Sequence, residues 1–227
     1  MKVKKTLVSW SSGKDSAWLI HVLRSAADID IGALVTTVNT SAQRVAMHAV
    51  RVELLEAQAA ALGLPLWIVP IPHPCPNDIY EAAMTRAIAR ATAAHFTHFA
   101  FGDLFLEDIK RYREGRLAGT GLIPLFPLFG SDTTRLAREM VAAGLRAKLT
   151  CIDPKALDPS YAGREFDAQL LEDLPAAVDP CGERGEFHSF AYAGPMFSRS
   201  IPVVTGATVE RDGFVFADLI PVTPTMA

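Results

Sequence analysis

Cysteine is scarce in this chain: three among 227 residues. Cys75, Cys151 and Cys181 are scattered and never form a Cys-x-x-Cys pair. A disulfide framework and a zinc or iron–sulfur centre therefore have no support, and a reducing cytoplasm is expected. Long apolar runs are also missing. None approaches the ~20 residues of a membrane span. The basic start, Met1–Lys5, leads into an apolar stretch that Ser9–Asp15 breaks at once, so no signal peptide and no membrane partner are expected. Charge of one sign is lacking too, since 22 Lys and Arg against 25 Asp and Glu leave −3. Broad nucleic-acid binding needs a marked basic excess and is not expected, although a single tRNA contact stays open. Internal repeats and low-complexity tracts are absent. Half the residues are hydrophobic, which suffices for one large domain or a domain plus a smaller lobe.

The most informative stretch is Ser11-Ser12-Gly13-Lys14-Asp15-Ser16, between the strand-like Leu7–Trp10 and the helix-like Ala17–Leu23. A strand, a turn of small residues and a helix start make an anion site, because the first helical amides and the positive dipole end face the turn. Gly13 allows close backbone approach, and Lys14 adds a mobile cation. A phosphate or pyrophosphate cradle is expected. The upstream glycine of a Walker loop and the three spaced glycines of a dinucleotide fingerprint are both missing. The structural alternative is an ordinary helix start whose orphan amides are capped by Ser12 or Asp15.

Strand and helix patterns alternate through the first half. Strands are expected at Thr6–Trp10, Ile31–Val38, Leu66–Val69 and His98–Phe101. Helices are expected at Asp15–Ser25, at Val50–Leu62 and from a cap at Asn77 onward. This order predicts an α/β fold, a doubly wound parallel sheet. Ligands bind beyond the carboxyl ends of such strands. Ser11–Ser16, Asn39-Thr40 and Gly102-Asp103 should therefore converge on one crevice. Further on, the pattern predicts a charged helix at Phe105–Glu114, a connection at Gly119–Phe129 and a helix at Thr133–Ala143 capped by Ser131 or Asp132. A strand at Arg146–Ile152, a polar loop at Cys181–Ser189 and a hairpin turning at Arg211-Asp212-Gly213 follow. Residues 1–130 are expected to form a nucleotide-binding domain, and residues 131–227 a smaller α+β substrate-binding lobe.

Two polar clusters carry candidate chemistry. In Gly102–Glu114, Asp103 sits at a strand end, while Asp108 and Arg111 share a helix face as candidate substrate contacts. Lys110, Arg113 and Glu114 read as a solvated, salt-bridged face. In Asp179–Ser189, Glu183, Glu186 and His188 are candidates for substrate binding and proton transfer, with Arg184 a candidate anchor for a carboxylate. His48 reads equally as a crevice residue or as a cap of the Val50 helix.

The loop resembles the Ser-Gly-Gly-Lys-Asp-Ser loop of the PP-loop ATP pyrophosphatases, the adenine nucleotide alpha hydrolase group, with Ser12 in place of a glycine. Cys181-Gly182-Glu183-Arg184-Gly185-Glu186-Phe187 resembles the Cys-Gly-Glu-Gly-Gly-Glu-Tyr segment of the diphthine–ammonia ligase branch. Gly194-Pro195-Met196-Phe197 resembles that branch's small-residue–Pro–Leu–Phe element, and Gly102–Glu114 its segment after the fourth strand. Arg184 replaces a glycine, and His188 stands where eukaryotic and archaeal ligases carry an acid, a pattern closer to a bacterial subgroup. The resemblance implies a HUP-like, Rossmann-like sheet that binds ATP. It implies Ser11, Ser12, Gly13, Lys14, Asp15, Ser16, Asn39, Gly102 and Asp103 around the nucleotide, Lys14 also in catalysis, and Mg2+ held by Asp15 or Asp103. The implied activity is an adenylate-forming ligase that activates a carboxylate as acyl-AMP, releases pyrophosphate and amidates with ammonia or an amine. A homodimer stays open. The rivals are a nucleotide sensor without chemistry and a tRNA-modifying PP-loop enzyme, the latter weakened by the missing Cys-x-x-Cys pair and basic surface.

Overall fold

The computed structural model describes residues 3–45 and 48–222. The expectation attached to Met1 and Lys2 lies outside these residues. The first half builds strands β1 (Lys4–Ser9), β2 (Ile29–Asn39), β3 (Arg44–Val45), β4 (Leu66–Ile71), β5 (His98–Ala100) and β6 (Ile123–Leu125). Helices α1 (Lys14–Arg24), α2 (Val52–Leu62), α3 (Asn77–Ala93) and α4 (Glu107–Leu117) connect them. The second half adds α5 (Thr133–Ala142), β7 (Arg146–Ile152), α6 (Ala168–Asp173), β8 (Phe187–Ala193), β9 (Val203–Arg211) and β10 (Phe214–Pro221).

In the first sheet β1 lies between β2 and β5, parallel to both. β4 continues it in parallel beyond β2, β6 does so beyond β5, and the short β3 is antiparallel to β2. The chain leaves β1 toward β2 and later returns to its other side as β5. The carboxyl end of β1 is thus a topological switch point, where open α/β sheets bind ligands. Alternate residues along the strands face opposite layers. Leu7, Ala33 and Val35 pack with Ala83, Ala87, Ile88 and Ala91 of α3. Val8 and Leu34 pack with α1, α2 and the apolar residues of the second half. One continuous core therefore crosses residue 130.

The second sheet is antiparallel, ordered β8-β7-β10-β9, with the expected hairpin between β9 and β10. Asp132 caps α5, accepting from the Arg135 amide at 2.9 Å, and Gly63 ends α2 in the left-handed region. Asn77 does not cap α3. It is the first helical residue, preceded by Pro76, and no side-chain cap is made. The Gly119–Phe129 connection contains β6, a three-residue edge strand bearing Pro124, which an edge tolerates because its amide has no ladder to join. The Cys181–Ser189 loop ends at Glu186, and its last three residues belong to β8.

The two sheets meet at the opening loop. The Ala191 amide donates to Ser12 O at 3.0 Å, and the Lys14 amide to Ser189 Oγ at 3.2 Å. Gln58 of α2, fully buried, locks the junction. Its Nε2 donates to Ser12 O at 2.9 Å and to Ala191 O at 2.6 Å, while its Oε1 accepts from Trp10 Nε1 at 3.2 Å. Gln58→Leu preserves bulk but strands these partners. It is expected to cost about 2–3 kcal/mol of stability, measured by urea denaturation. A loss below about 0.5 kcal/mol would show that the clamp is dispensable.

Candidate active site

Helix α1 starts without a side-chain cap from its own N-cap residue. Gly13 is its N-cap and no side-chain cap hydrogen bond is made, so neither Ser12 nor Asp15 caps the helix. Ser11 Oγ accepts from the Gly13 amide at 3.3 Å and lies 3.1 Å from Ser16 Oγ. The Asp15 and Ser16 amides, at the second and third helical positions, have no acceptor one turn earlier. Gly102, at the end of β5, packs over them: a Cβ there would lie 3.4 Å from Ser16 N and from the Asp15 carbonyl. Ser12 is buried with φ of 70°, a left-handed conformation that costs a non-glycine residue about 1–2 kcal/mol. Its Oγ is buried without a partner. The glycine of the resembled loop fits the same backbone without that cost.

A cavity of about 240 Å3 opens beside this turn. Ser11, Lys14, Asp15, Ser16, Gly102 and Asp103 line one side of it; Cys181, Gly182, Glu183 and His188 line the other. A second chamber of about 430 Å3 borders Trp10, the β2 residues Val35–Thr37, Val45, Tyr80 and Met84. Ser9, Ser11, His48, Arg113 and His188 line both chambers, so the two form one groove over the switch point. Gly13 itself is packed rather than open, since a Cβ on it would come within 3.2 Å of His48 Cε1 and of Ser189 O. The free space lies at Ser11 and at Lys14–Ser16.

Lys14 is 2 % exposed. Its ammonium sits 2.9 Å from Asp15 Oδ2, donates to Cys181 O, and lies 5.2 Å from the centre of the Phe187 ring. Burial opposes its charge, but the Asp15 carboxylate, with the Cys181 side chain and Glu183, outweighs burial and holds its pKa above the ordinary value. Asp15 keeps about a quarter of its side-chain surface exposed (27 %). Desolvation against a buried partner pushes its pKa up.

The Asp179–Glu186 loop closes the other side. Gly182 takes φ of 68°, and a Cβ there would strike Phe187 O at 2.7 Å, so only glycine fits. Glu183 Oε1 accepts from the Leu104 amide at 2.7 Å, which ties the loop to the end of β5. Burial, reinforced by Asp15 and Asp103, pushes Glu183 up to about 7. Burial pushes His188 down to about 4, and burial together with His188 holds His48 well below its usual range. The two imidazoles pack at a tilt with centres 4.5 Å apart and are neutral at pH 7. Asp103 faces Arg113, with Oδ1 accepting from Nη2 at 3.0 Å and Oδ2 2.7 Å from Nε. That second contact is an ion pair without an aligned N–H, and neither atom has a hydrogen-bond partner.

The structure does not bring all the expected site residues to the groove. Glu186 does not line the groove. It is buried, and its two oxygens accept from the Asp179 and Arg184 amides at 3.0 and 2.9 Å, so it braces the loop. Arg184 is 59 % exposed, with its guanidinium over the Phe105 ring. Asp108 and Arg111 are exposed on α4, outside both chambers. Asn39 Oδ1 accepts from the Ser41 amide and hydroxyl and from the Ala42 amide, which closes the turn after β2 instead of reaching the groove. Arg113, read from the sequence as solvated, is the α4 residue that enters the site. On α4, Lys110, Arg113, Glu114 and Arg116 are half-buried and only the apolar Leu117 is buried, so no hydrophobic stripe marks the inner face.

A strand–turn–helix anion site at the switch point of a parallel sheet, with a lysine and an acid following the turn glycine, defines a nucleotide-binding α/β protein of the PP-loop class. Two family models match: diphthamide synthase N-terminal domain over residues 4–72 and diphthamide synthase C-terminal domain over residues 132–217. Together they cover well over half of the chain, which belongs to the diphthine–ammonia ligase-like family of PP-loop proteins. Among similar curated proteins, the diphthine–ammonia ligases of Rattus norvegicus and Danio rerio are each 32 % identical over 118 residues, and that of Homo sapiens is 30 % identical over 118 residues. The match takes in 49 % of this chain and 44–46 % of those proteins, so it spans less than half their length.

Glu183 generates a pH test. Its pKa in the folded chain is about 7, above the ordinary 4.5. The folded state therefore holds this proton more tightly than the unfolded state does. The group's contribution to stability is full below about 4.5, falls as pH rises toward 7, and is constant above that. Glu183→Gln keeps the acceptor for the Leu104 amide and removes the titration. In urea denaturation between pH 4.5 and 8, the variant is expected to gain stability relative to wild type as pH rises. A constant difference would mean that Glu183 is not raised.

Proposed function

We propose that this protein is an ATP-dependent, adenylate-forming ligase. The triphosphate end lies on the Asp15 and Ser16 amides beside Lys14, and the nucleoside occupies the wider chamber. The observation that carries this proposal is the meeting, in one cavity, of the Asp15–Ser16 helix start, a buried lysine and a carboxylate poised near neutrality. Amides and lysine stabilise the charge that gathers on a departing pyrophosphate. A carboxylate oxygen of the acceptor attacks the α-phosphorus, the bond to the β-phosphate bridge breaks, and pyrophosphate leaves. Ammonia or an amine then adds to the acyl carbon and AMP departs. Glu183 accepts the proton that the nitrogen releases, for which its raised pKa suits it, and His188 offers an uncharged acceptor close by. The relatives' names specify diphthine and ammonia for those proteins; here ammonia is proposed as donor and a carboxylate as acceptor.

The residues also fit magnesium. Among the described residues no group of three or more His, Cys, Asp or Glu side chains could cage a metal. Mg2+ usually needs only one or two carboxylates plus substrate phosphates. Asp15 and Asp103 would hold it, and the ion would screen phosphate charge. No helix among the described residues is long and apolar enough to cross a membrane, and the three cysteines are free, which supports placing the enzyme in the cytoplasm. A sensor that only holds nucleotide has no use for a titrating acid facing the phosphates.

The test is incubation with ATP, Mg2+, ammonium and a panel of carboxylates, with AMP and pyrophosphate quantified. Wild type is expected to form both in equal amounts. Lys14→Ala is expected to lower the rate about a hundredfold or more with an unchanged circular dichroism spectrum. A fully active, folded variant would remove Lys14 from the chemistry, and ADP as the product would overturn the proposal.

A further inference from the structure

Arg113 occupies the one place in the groove where a fixed cation meets both chambers. Its side chain lines the cavity at Lys14–Ser16 and also the wider chamber at Val35–Thr37, Tyr80 and Met84. Three contacts hold the guanidinium from below and behind: Asp103 Oδ1 at 3.0 Å, Asp103 Oδ2 at 2.7 Å, and the Phe101 ring, whose centre is 4.5 Å away. Nη1 makes no hydrogen bond to protein among the described residues, so its donors remain available to the groove. The other titratable groups lining both chambers are His48 and His188, which are neutral at pH 7. Lys14 is at the far end, tied to Asp15 and Cys181 O.

We propose that Arg113 is a catalytic residue that binds the α-phosphate of the nucleotide, oriented for this by Asp103. The inference rests on the nucleotide placement given above and deepens it. With the nucleoside in the wider chamber and the pyrophosphate at the first turn of α1, the phosphate between them lies at the junction Arg113 lines. When the acceptor carboxylate attacks, negative charge grows on the two non-bridging oxygens of that phosphorus while the bond to pyrophosphate breaks. A planar guanidinium matches two such oxygens, and one already locked by a carboxylate need not reorganise as the charge develops.

Ligand fragments separate this role from a merely structural one without knowledge of the acceptor. Calorimetric titrations with adenosine, AMP, ATP and pyrophosphate, all without magnesium so that a metal role of Asp103 does not enter, are compared for wild type, Arg113→Met and the double variant Asp103→Asn/Arg113→Met. The double variant removes the carboxylate that the single change strands. Both variants are expected to bind AMP about ten- to a hundredfold more weakly and to bind adenosine and pyrophosphate as wild type does. Unchanged AMP affinity, an equal loss for pyrophosphate, or a loss that the double variant reverses would each overturn the role of Arg113. If wild type binds none of adenosine, AMP and ATP, the nucleotide-dependent function fails as well; if it binds them and only the variant pattern fails, the inference alone is lost.

Discussion

The structure depends on the pairing of strand β8 with the loop that follows β1. Two bonds cross there, from the Ala191 amide to Ser12 O and from the Lys14 amide to Ser189 Oγ, and Gln58 binds both sides. A helix start without a side-chain cap would ordinarily leave its loop free to fray. Here the neighbouring sheet holds it, and the amides that face the groove stay open. The same pairing places His188, one residue before Ser189, against the groove. The second half of the chain is therefore part of the anion site's scaffold as well as a wall of the cavity.

This arrangement sets the electrostatics. The groove is sheltered enough to keep both histidines neutral and to raise Glu183 to about 7. Positive charge comes from Lys14 at one end and Arg113 at the junction, each paired with an acid, Asp15 and Asp103. A polyphosphate entering with magnesium would exchange partners with these pairs instead of meeting bare buried cations, whose desolvation is costly. The rigid members are Gly102, Gly182 and Glu186, which set backbone and loop geometry. The members that line the cavity are Lys14, Glu183, His188 and Arg113.

Local chemistry made much of this legible in the sequence. Alternating strand and helix patterns mark the parallel sheet, and the small-residue turn before Ala17 marks the loop at the switch point. Glu183 lies in a loop whose glycines signal unusual backbone. Long-range pairing was not legible. Nothing in Phe187–Ser189 says that these residues form a strand pairing with residues far earlier in the chain. Glu186 and Glu183 look alike in sequence, yet one accepts two amides of its own loop and the other reaches the end of β5. Arg113 is hidden in a charged helix because its partner, Asp103, lies in the preceding turn and the inward face carries one apolar residue. Asn39 ends its strand, but its carboxamide satisfies the following turn through local bonds.

The most direct measurement of the central claim is amide chemical-shift mapping on isotope-labelled protein titrated with magnesium pyrophosphate. The largest shifts are expected at the Asp15 and Ser16 amides, with smaller linked shifts at Ser189–Ala191 across the pairing. Undisturbed Asp15 and Ser16 signals at saturating pyrophosphate, with shifts confined to other surfaces, would contradict it.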